Sequence, residues 1–261
     1  MINIVSAIQF CPKFSRCHAD VMENFRRTEP LIRQAASFGT SFLVFPELCL
    51  TGYSFLSYEE AIEVAELPDG PTFRKMRGVA VALSSFVSYG YLEIDTETGS
   101  LYNSASMIAP DGKVVSHYRK INGWGNDYLW YTPGADPARI APTEFGDASV
   151  VVCRDLRDKI PTNIPGSNRS EESDLFRNKT VDIVAACVNW GKGGFPSTTW
   201  MDFVGDNKCT LVVANRWGIE RNGGFEQDFG HGGSAIIDKH WKVHTDGLQF
   251  NADCVVSASL T

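Results

Sequence analysis

The amino-acid sequence predicts an α/β protein in which helices cover a mixed sheet or two stacked sheets. Strands and helices alternate near both ends of the chain, with strand hairpins between them, as expected when helices lie outside β-sheets. A hydrophobic content of 43% and a charged content of 21% are typical of soluble globular proteins. Because no internal repeat, low-complexity run or linker divides the sequence, we expect residues 1–261 to form one domain.

The first half of the chain reads as alternating strands and helices. The predicted elements are a strand over 2–10, a helix over 20–37, a strand over 41–45, a helix over 72–83, a hairpin of 86–94 with 101–108, and a strand over 113–118. Val21, Phe25 and Leu31 give the first helix an imperfect apolar face. Pro30 lies inside that helix, and because proline lacks a backbone N–H, we expect a kink or a break there.

In the second half, three successive valines at 150–152 predict a buried strand that stops at Cys153. The remaining strands are predicted at 181–188 and 210–214 and in a hairpin of 233–237 with 241–245, which we expect to close the chain. The segment 158–174 is polar and rich in Pro, Gly, Ser and Asn. We expect this insertion to be irregular and mobile and to border the mouth of a pocket near Cys153.

Charge and cysteine content argue against several function classes. The net charge is −7 and no cluster of Lys and Arg offers a phosphate-binding stripe, which argues against nucleic-acid binding. The seven cysteines are an odd number without CxxC spacing, so we expect reduced thiols rather than zinc sites or disulfides. The sequence lacks a secretory signal pattern and any apolar run approaching the roughly 20 residues that cross a bilayer. We therefore expect a cytoplasmic protein that binds neither nucleic acid nor membranes.

Glu47, Lys120 and Cys153 each follow the end of a predicted strand. Sites form where the carboxyl ends of strands meet, so we expect these three side chains to converge. A carboxylate can take the thiol proton, the thiolate can attack a carbonyl or nitrile carbon, and an ammonium can stabilise the negative charge that develops. This chemistry requires no metal and no organic cofactor.

Each of these three residues, taken alone, also has an ordinary structural explanation. Cys153 could be the last core residue of its strand, because free cysteine packs as a small hydrophobe. Glu47 could be a surface carboxylate and Lys120 a solvated lysine, which is the usual situation for both residue types. The functional interpretation therefore depends on the three residues occurring together in a shared sequence context.

That context consists of three sequence blocks and four secondary ones. The blocks that contain the three residues are LVFPELCLTGY at 43–53, YRKIN at 118–122 and VCRDLR at 152–157. The secondary blocks are YTPG at 131–134, VNW at 188–190, VANRWG at 213–218 and GHGGSAIID at 230–238. Together, and in this order over nearly the whole chain, they resemble the signature blocks of the nitrilase superfamily of carbon-nitrogen hydrolases.

The resemblance implies a four-layer α-β-β-α sandwich of two mixed β-sheets flanked by helices, which pairs into a homodimer or a higher homo-oligomer. It implies that Glu47 is the general base, Lys120 the lysine that stabilises the oxyanion and Cys153 the nucleophile. The backbone N–H of Arg154 is then the second oxyanion donor. A further family acid, usually glutamate, is Asp127 in this chain. We expect its shorter side chain to hold Lys120 more loosely or through water.

Several residues within or near these blocks are candidates for substrate binding. The candidates are Tyr53, Trp124, Tyr128, Arg154, Asn189 and Trp190. The aromatic residues that follow Lys120 could wall a pocket, although aromatic side chains more often lie in a core or an interface. Arg154 or Arg157 could hold a substrate carboxylate in a bidentate pair. Either arginine could equally pair with Asp155 or Asp158.

From these features we expect a hydrolase that cleaves an amide or N-carbamoyl bond of a small molecule through a thioester. Nitrile hydrolysis is less favoured, because nitrilases usually carry a Cys-Trp-Glu block where this chain has Cys153, Arg154 and Asp155. A third alternative is a catalytically idle family member that serves as a scaffold or binding partner. The Asp127 and Arg154 substitutions leave that alternative open.

Overall fold

The computed structural model describes residues 3–157, 175–176, 179–191 and 194–260. Within these residues the strands, in chain order, are β1 (Asn3–Gln9), β2 (Thr40–Val44), β3 (Phe86–Ile94), β4 (Leu101–Ile108), β5 (Val114–Arg119), β6 (Ala141–Thr143), β7 (Gly146–Val152), β8 (Ile183–Val188), β9 (Thr210–Asn215), β10 (Ile219–Asn222), β11 (Phe225–Asp228), β12 (Ala235–Ile237), β13 (Val243–His244) and β14 (Cys254–Leu260). The α-helices are α1 (His18–Ser37), α2 (Tyr58–Ile62), α3 (Pro71–Leu83) and α4 (Thr198–Asn207).

The strands form two six-stranded mixed sheets. The first sheet has the order β14-β1-β2-β3-β4-β5, and the second has the order β13-β12-β9-β8-β7-β6. In the first sheet β1, β2 and β3 are parallel neighbours, and in the second β7, β8 and β9 are parallel neighbours. The other pairings are antiparallel. A separate hairpin pairs β10 with β11.

The hydrophobic core shows how the layers stack. One cluster of buried residues joins Val5 and Val44 of the first sheet to Val150 and Val184 of the second, so the two sheets pack face to face. A second cluster lies between the other face of the first sheet and α1 and α3, and α4 packs on the second sheet. The chain therefore has the expected four-layer sandwich of two mixed sheets flanked by helices.

The first helix differs from its prediction at Pro30. The α1 helix runs unbroken from His18 to Ser37 with Pro30 inside it. Proline costs a helix interior about 3 kcal/mol. Burial of Val21, Phe25 and Leu31 offsets this cost, because each buried apolar side chain contributes roughly 1.5–3 kcal/mol. Tertiary packing therefore outweighs the local effect of the proline. Of the two outcomes predicted at Pro30 the break is wrong, and the kink stays a prediction.

The predicted hairpin of 233–237 with 241–245 is present, but it is not the last element. The hairpin of β12 and β13 does not close the chain, because β14 follows it and pairs antiparallel with β1 along its whole length. This pairing joins residues about 250 positions apart, with Asn3 opposite Leu260, so no local pattern reports it. The elements α2, α4, β6, β10 and β11 were not predicted either, and most of them are too short for a clear periodicity.

The predicted insertion at 158–174 lies outside the residues that the structure describes. Among the helices of the described part of the chain, none has the length and apolar character that crossing a membrane requires.

Candidate active site

Glu47, Lys120 and Cys153 are brought together at the ends of β2, β5 and β7. Lys120 Nζ lies 2.6 Å from Glu47 Oε1. Glu47 and Lys120 are each 1% exposed and Cys153 is 7% exposed. Both charged groups lie close enough to the Cys153 thiol to shift its pKa. The convergence predicted from the three strand ends is therefore present in the structure.

Two carboxylates flank the Lys120 ammonium. Asp127 Oδ2 lies 2.7 Å from Lys120 Nζ, on a fully buried side chain. Asn103 of β4 donates from its amide nitrogen to Glu47 Oε1 at 2.7 Å and to Asp127 Oδ1 at 3.5 Å. The contact of Asp127 with Lys120 is direct, contrary to the looser or water-mediated contact expected for the shorter side chain.

A short 3₁₀ turn, Gly125–Leu129, brings Asp127 within reach of the lysine. The backbone N–H of Trp124 donates to Asp127 Oδ2 at 2.9 Å and so fixes the carboxylate at the start of the turn. Tyr53 donates a hydrogen bond from its hydroxyl to the Trp124 carbonyl, which anchors the residue that precedes the turn. The turn thus holds the Asp127 carboxylate in direct contact with the Lys120 ammonium.

Burial and charge set the protonation states of the three groups. Burial raises the pKa of Glu47, and the Asp127 carboxylate raises it further, against the opposing effect of Lys120. Burial acts to lower the pKa of Lys120, but the carboxylates of Asp127 and Glu47 outweigh it and hold that pKa well above its usual value. Burial also raises the pKa of the Cys153 thiol, and so does the Glu47 carboxylate. The resting thiol is therefore protonated beside a carboxylate.

Glu47 has one oxygen available for that proton. Its Oε2 is buried and has no hydrogen-bond partner within the part of the chain that the structure describes. Its Oε1, in contrast, accepts from Lys120 and from Asn103. Glu47 is thus held in place through one oxygen while the other retains its acceptor capacity.

The backbone turns sharply at both the thiol and the carboxylate. Cys153 has a φ of 42° and Leu48, directly after Glu47, has a φ of 46°, both in the left-handed region that non-glycine residues rarely occupy. Cys153 also begins a 3₁₀ turn, Cys153–Leu156, immediately after β7. Such strain is maintained only where the surrounding structure stabilises it, and it is concentrated at functional sites.

A cavity of about 470 Å³ opens beside Cys153. Its lining consists of Trp124, Cys153, Arg154, Arg157, Asn189, Trp190, Gly191, Gln227 and Asp228. The backbone N–H of Asn189 interacts with the Cys153 thiol. Within the residues described, both polar atoms of the buried Asn189 amide lack a hydrogen-bond partner. The cavity therefore offers an unused amide next to the sulfur.

Four of the six predicted substrate-binding residues line this cavity, namely Trp124, Arg154, Asn189 and Trp190. Tyr53 is instead buried behind Lys120, with its ring 5.8 Å from the ammonium nitrogen. Tyr128 is exposed and donates from its hydroxyl to the Gly123 carbonyl at 2.6 Å. These two tyrosines thus support the cavity wall from outside it.

A larger cavity of about 590 Å³ lies elsewhere, lined in part by Glu93, His117 and Arg119. Its lining includes none of the three converging residues, and the Glu93 carboxylate is already hydrogen-bonded to His117 and Arg119. We therefore place the candidate site at the Cys153 cavity despite its smaller volume. Among the residues that the structure describes, no group of three or more His, Cys, Asp or Glu is arranged to hold a metal ion.

Comparison with known proteins identifies the family. A family model named carbon-nitrogen hydrolase matches residues 4–159, more than half of the chain. The chain belongs to the carbon-nitrogen hydrolase family. A nitrilase from Pyrococcus abyssi is 33% identical over 200 residues, which cover 76% of this chain and 71% of that protein. A cyanide hydratase from Neurospora crassa is 31% identical over 150 residues, which cover 52% of this chain and 42% of the hydratase.

Solved structures show the same fold. An amidase from Nesterenkonia sp. AN1 matches with a TM-score of 0.75 at 17% identity, covering 99% of this chain and 93% of that chain. A carbon-nitrogen hydrolase superfamily protein from Xanthomonas campestris matches with a TM-score of 0.75 at 20% identity, covering 100% of this chain and 91% of the other. Together with the family match, these findings place this carbon-nitrogen hydrolase in the nitrilase superfamily.

The structure of this carbon-nitrogen hydrolase adds residues that the sequence did not reveal as part of the site. Asp155 accepts hydrogen bonds from the Tyr118 hydroxyl at 2.6 Å and from the backbone N–H groups of Ile121 and Asn122 at 2.8 and 2.9 Å. It thereby ties both flanks of Lys120 to the turn that carries Cys153. A carboxylate two positions after the thiol was a visible signal, but its partners could not be read locally.

Gly90 of β3 and Asn103 were also missed. A Cβ at Gly90 would lie 2.6 Å from Glu47 Cα, so only glycine lets β3 approach the Glu47 turn this closely. Asn103 is fully buried within β4, where an amide side chain requires polar partners. The available sequence signal was an amide inside the predicted strand 101–108, but its partners Glu47 and Asp127 lie in distant segments and could not be identified locally.

Proposed function

We propose that this carbon-nitrogen hydrolase cleaves an amide or N-carbamoyl bond of a small molecule through a thioester on Cys153, releasing ammonia or an amine. The observation that carries the proposal is the Lys120 ammonium held between Glu47 and Asp127 beside a thiol that lines a cavity. A nucleophile, a proton acceptor and a fixed cation are the groups that acyl transfer requires.

In the first half-reaction, the Cys153 thiol transfers its proton to Glu47 Oε2 as sulfur attacks the carbonyl carbon. The resulting oxyanion is stabilised by the Lys120 ammonium and by the backbone N–H of Arg154. When the tetrahedral intermediate collapses, Glu47 returns the proton to the leaving nitrogen and the carbon-nitrogen bond breaks. The products of this step are ammonia or an amine and the thioester.

In the second half-reaction, a water molecule takes the place of the departed amine. Glu47 accepts a proton from this water as its oxygen attacks the thioester carbon, and the same cation and N–H stabilise the second oxyanion. The carbon-sulfur bond then breaks, and the thiolate regains the proton from Glu47. A carboxylic acid, or a carbamic acid from an N-carbamoyl substrate, leaves the cavity.

Nitrile hydrolysis is the second candidate, favoured by the 33% identity to the Pyrococcus abyssi nitrilase. The same three groups support attack of the thiolate on a nitrile carbon. The amide reading is favoured by Arg154 and Asp155 after Cys153, where nitrilases usually have Trp and Glu. The two candidates differ in the bond between the attacked carbon and nitrogen, which is triple in a nitrile and single in an amide. They do not differ in the protein groups that act on that carbon.

The test is ammonia release from matched primary amides, N-carbamoyl amines and nitriles of equal chain length, using the purified protein. Acid quenching followed by mass spectrometry of the Cys153 peptide detects the thioester directly. We expect turnover of amides or N-carbamoyl compounds with an acyl adduct on Cys153. Turnover of nitriles alone would favour the second candidate, and an absence of both ammonia and adduct across the panel would support an idle scaffold and overturn the proposal.

A further inference from the structure

Two guanidinium groups face the same cavity as the Cys153 thiol. Arg154 and Arg157 both belong to its lining. The Arg157 guanidinium lies over the Trp190 ring, with its central carbon 5.2 Å from the ring centroid. A cation–π contact with an aromatic ring restrains an arginine while leaving N–H donors that point away from the ring available for a ligand. The cavity thus contains a pre-ordered cation on the wall that also carries Trp190.

These two arginines are not neutralised by the protein residues that the structure describes. No salt bridge joins either guanidinium to a carboxylate within 3–157, 175–176, 179–191 and 194–260. Arg154 uses one nitrogen for the Gly123 carbonyl, at 2.6 Å, and its buried Nε lacks a partner in the same ranges. The cavity therefore retains positive charge that a ligand can satisfy.

The acids near these arginines that the structure describes are bonded to other groups. Asp155, a pairing partner expected from the sequence, instead accepts hydrogen bonds from Tyr118, Ile121 and Asn122. Asp158, the other expected partner, lies outside the described residues. Asp228 is the one acid in the cavity lining described here, and it accepts the backbone N–H of Gly230 at 2.8 Å. A substrate therefore meets two cations and an acid that is already engaged.

We infer that the substrate carries a carboxylate on its acyl chain, which Arg157 and Arg154 bind while the carbon to be attacked sits at Cys153. This inference rests on the proposed function and names its substrate class. An arginine fork matches a carboxylate with two parallel charge-assisted hydrogen bonds. A neutral acyl chain of the same length leaves the guanidiniums without a carboxylate partner. Its binding free energy therefore does not benefit from the contact with Trp190 that positions Arg157.

The first test is a charge series at constant chain length, with succinamic acid as the anionic amide, succinamide as the neutral one and 3-aminopropionamide as the cationic one. The corresponding nitriles, including 3-cyanopropanoic acid, are measured in parallel. We expect kcat/KM for the anionic member to exceed that of the neutral member at least about tenfold, in whichever series turns over. The cationic member should be the poorest of the three.

Arg157→Gln removes the charge without disturbing the bond of Arg154 to Gly123. In this variant we expect the anionic-to-neutral ratio to fall to within about threefold, and in Arg157→Lys we expect an intermediate ratio. Arg33→Gln is the matched control, because it removes a largely exposed guanidinium from α1. It should keep the full ratio. Equal turnover of neutral and anionic members, or a preference that survives in Arg157→Gln, would overturn the inference.

A second test does not depend on hydrolysis. Alkylation of Cys153 by iodoacetate and by iodoacetamide is compared by mass spectrometry of the peptides, with the exposed Cys17 as internal reference. We expect the iodoacetate-to-iodoacetamide ratio to be at least about tenfold higher at Cys153 than at Cys17, and to drop in Arg157→Gln. Equal ratios at the two cysteines would contradict the inference. A high ratio in a protein without turnover would support it while overturning the proposed function.

Discussion

Glu47 and Glu93 are both buried carboxylates with a cation beside them, yet their surroundings shift their pKa values in opposite directions. Glu47 shares the Lys120 ammonium with Asp127, and its pKa is raised by burial and by Asp127. Burial acts to raise the pKa of Glu93 as well, but hydrogen bonds from His117 and Arg119 lower it to about 2. The two sites are neighbours, since His117 and Arg119 lie on the strand that leads into Lys120.

The difference follows from the ratio of charges and from unused acceptor capacity. At Glu47, one cation serves two carboxylates, and Oε2 has no hydrogen-bond partner in the described part of the chain. At Glu93, two basic side chains serve one carboxylate, and His117 Nε2 and Arg119 Nε contact it at 2.7 and 2.9 Å. A general base needs a raised pKa and a free oxygen, whereas a structural ion pair needs neither.

The largest effect should come from removing the group that Glu47 serves. Cys153→Ala deletes the proposed nucleophile, so we expect kcat to fall by more than about 10⁴-fold. Ammonia release under saturating substrate measures this. Cys17→Ala, which removes an exposed thiol, is the control and should retain wild-type activity. Substantial turnover by Cys153→Ala would show that Glu47 does not act on this thiol.

Glu47→Gln tests the carboxylate itself. The amide keeps its shape but cannot accept the thiol proton, so we expect kcat to fall by about 10²–10⁴-fold. In the wild-type protein, the raised pKa of Glu47 should place the acid limb of kcat/KM above the usual carboxyl value, and activity is lost as the pH falls through it. A pH profile of initial rates measures both effects. The comparison would fail if Glu93→Gln reduced kcat as strongly as Glu47→Gln.

Glu93→Gln should act on stability instead. We expect the free energy of unfolding at pH 7 to fall by about 2 kcal/mol. This is less than the full pKa shift of Glu93 corresponds to, because His117 and Arg119 are each about one third exposed and solvent screens their charges. Because the pKa of Glu93 is lower in the folded protein, its carboxylate stabilises the fold at pH values above 4.5, the usual pKa of a glutamate. This stabilisation is lost as the pH falls towards about 2. Urea unfolding of both proteins across that range measures the loss. A variant difference that persists at pH 2 would contradict this assignment.

The smallest effect should come from Asp127→Asn, which gives Glu47 sole use of the Lys120 charge. Because the Asp127 carboxylate raises the pKa of Glu47, we expect the acid limb of kcat/KM to move to lower pH. The amide oxygen can still hold Lys120, so the rate loss should be only about tenfold. The pH profile of kcat/KM is the measurement. An acid limb that stays in place or moves up would show that Asp127 does not tune Glu47.

Much of this molecule could be predicted because its signals are local. Alternating apolar strands and helices gave the α/β class, and the positions of Glu47, Lys120 and Cys153 after strand ends predicted their convergence. Local rules failed where distant segments intervened. Pro30 did not break α1 because packing outweighed it, and β14 was missed because its partner β1 lies at the other end of the chain.

The sequence by itself determined that Glu47, Lys120 and Cys153 reach the candidate site, because strand ends and residue types are encoded within a few neighbouring positions. Only the tertiary structure decided what those groups can do. It set the direct contact of Asp127 with Lys120, the opposite pKa shifts of Glu47 and Glu93, and the cation–π contact of Arg157 with Trp190. These properties depend on desolvation and on distances of a few ångströms between segments far apart in the chain, and Coulomb energies change steeply over such distances.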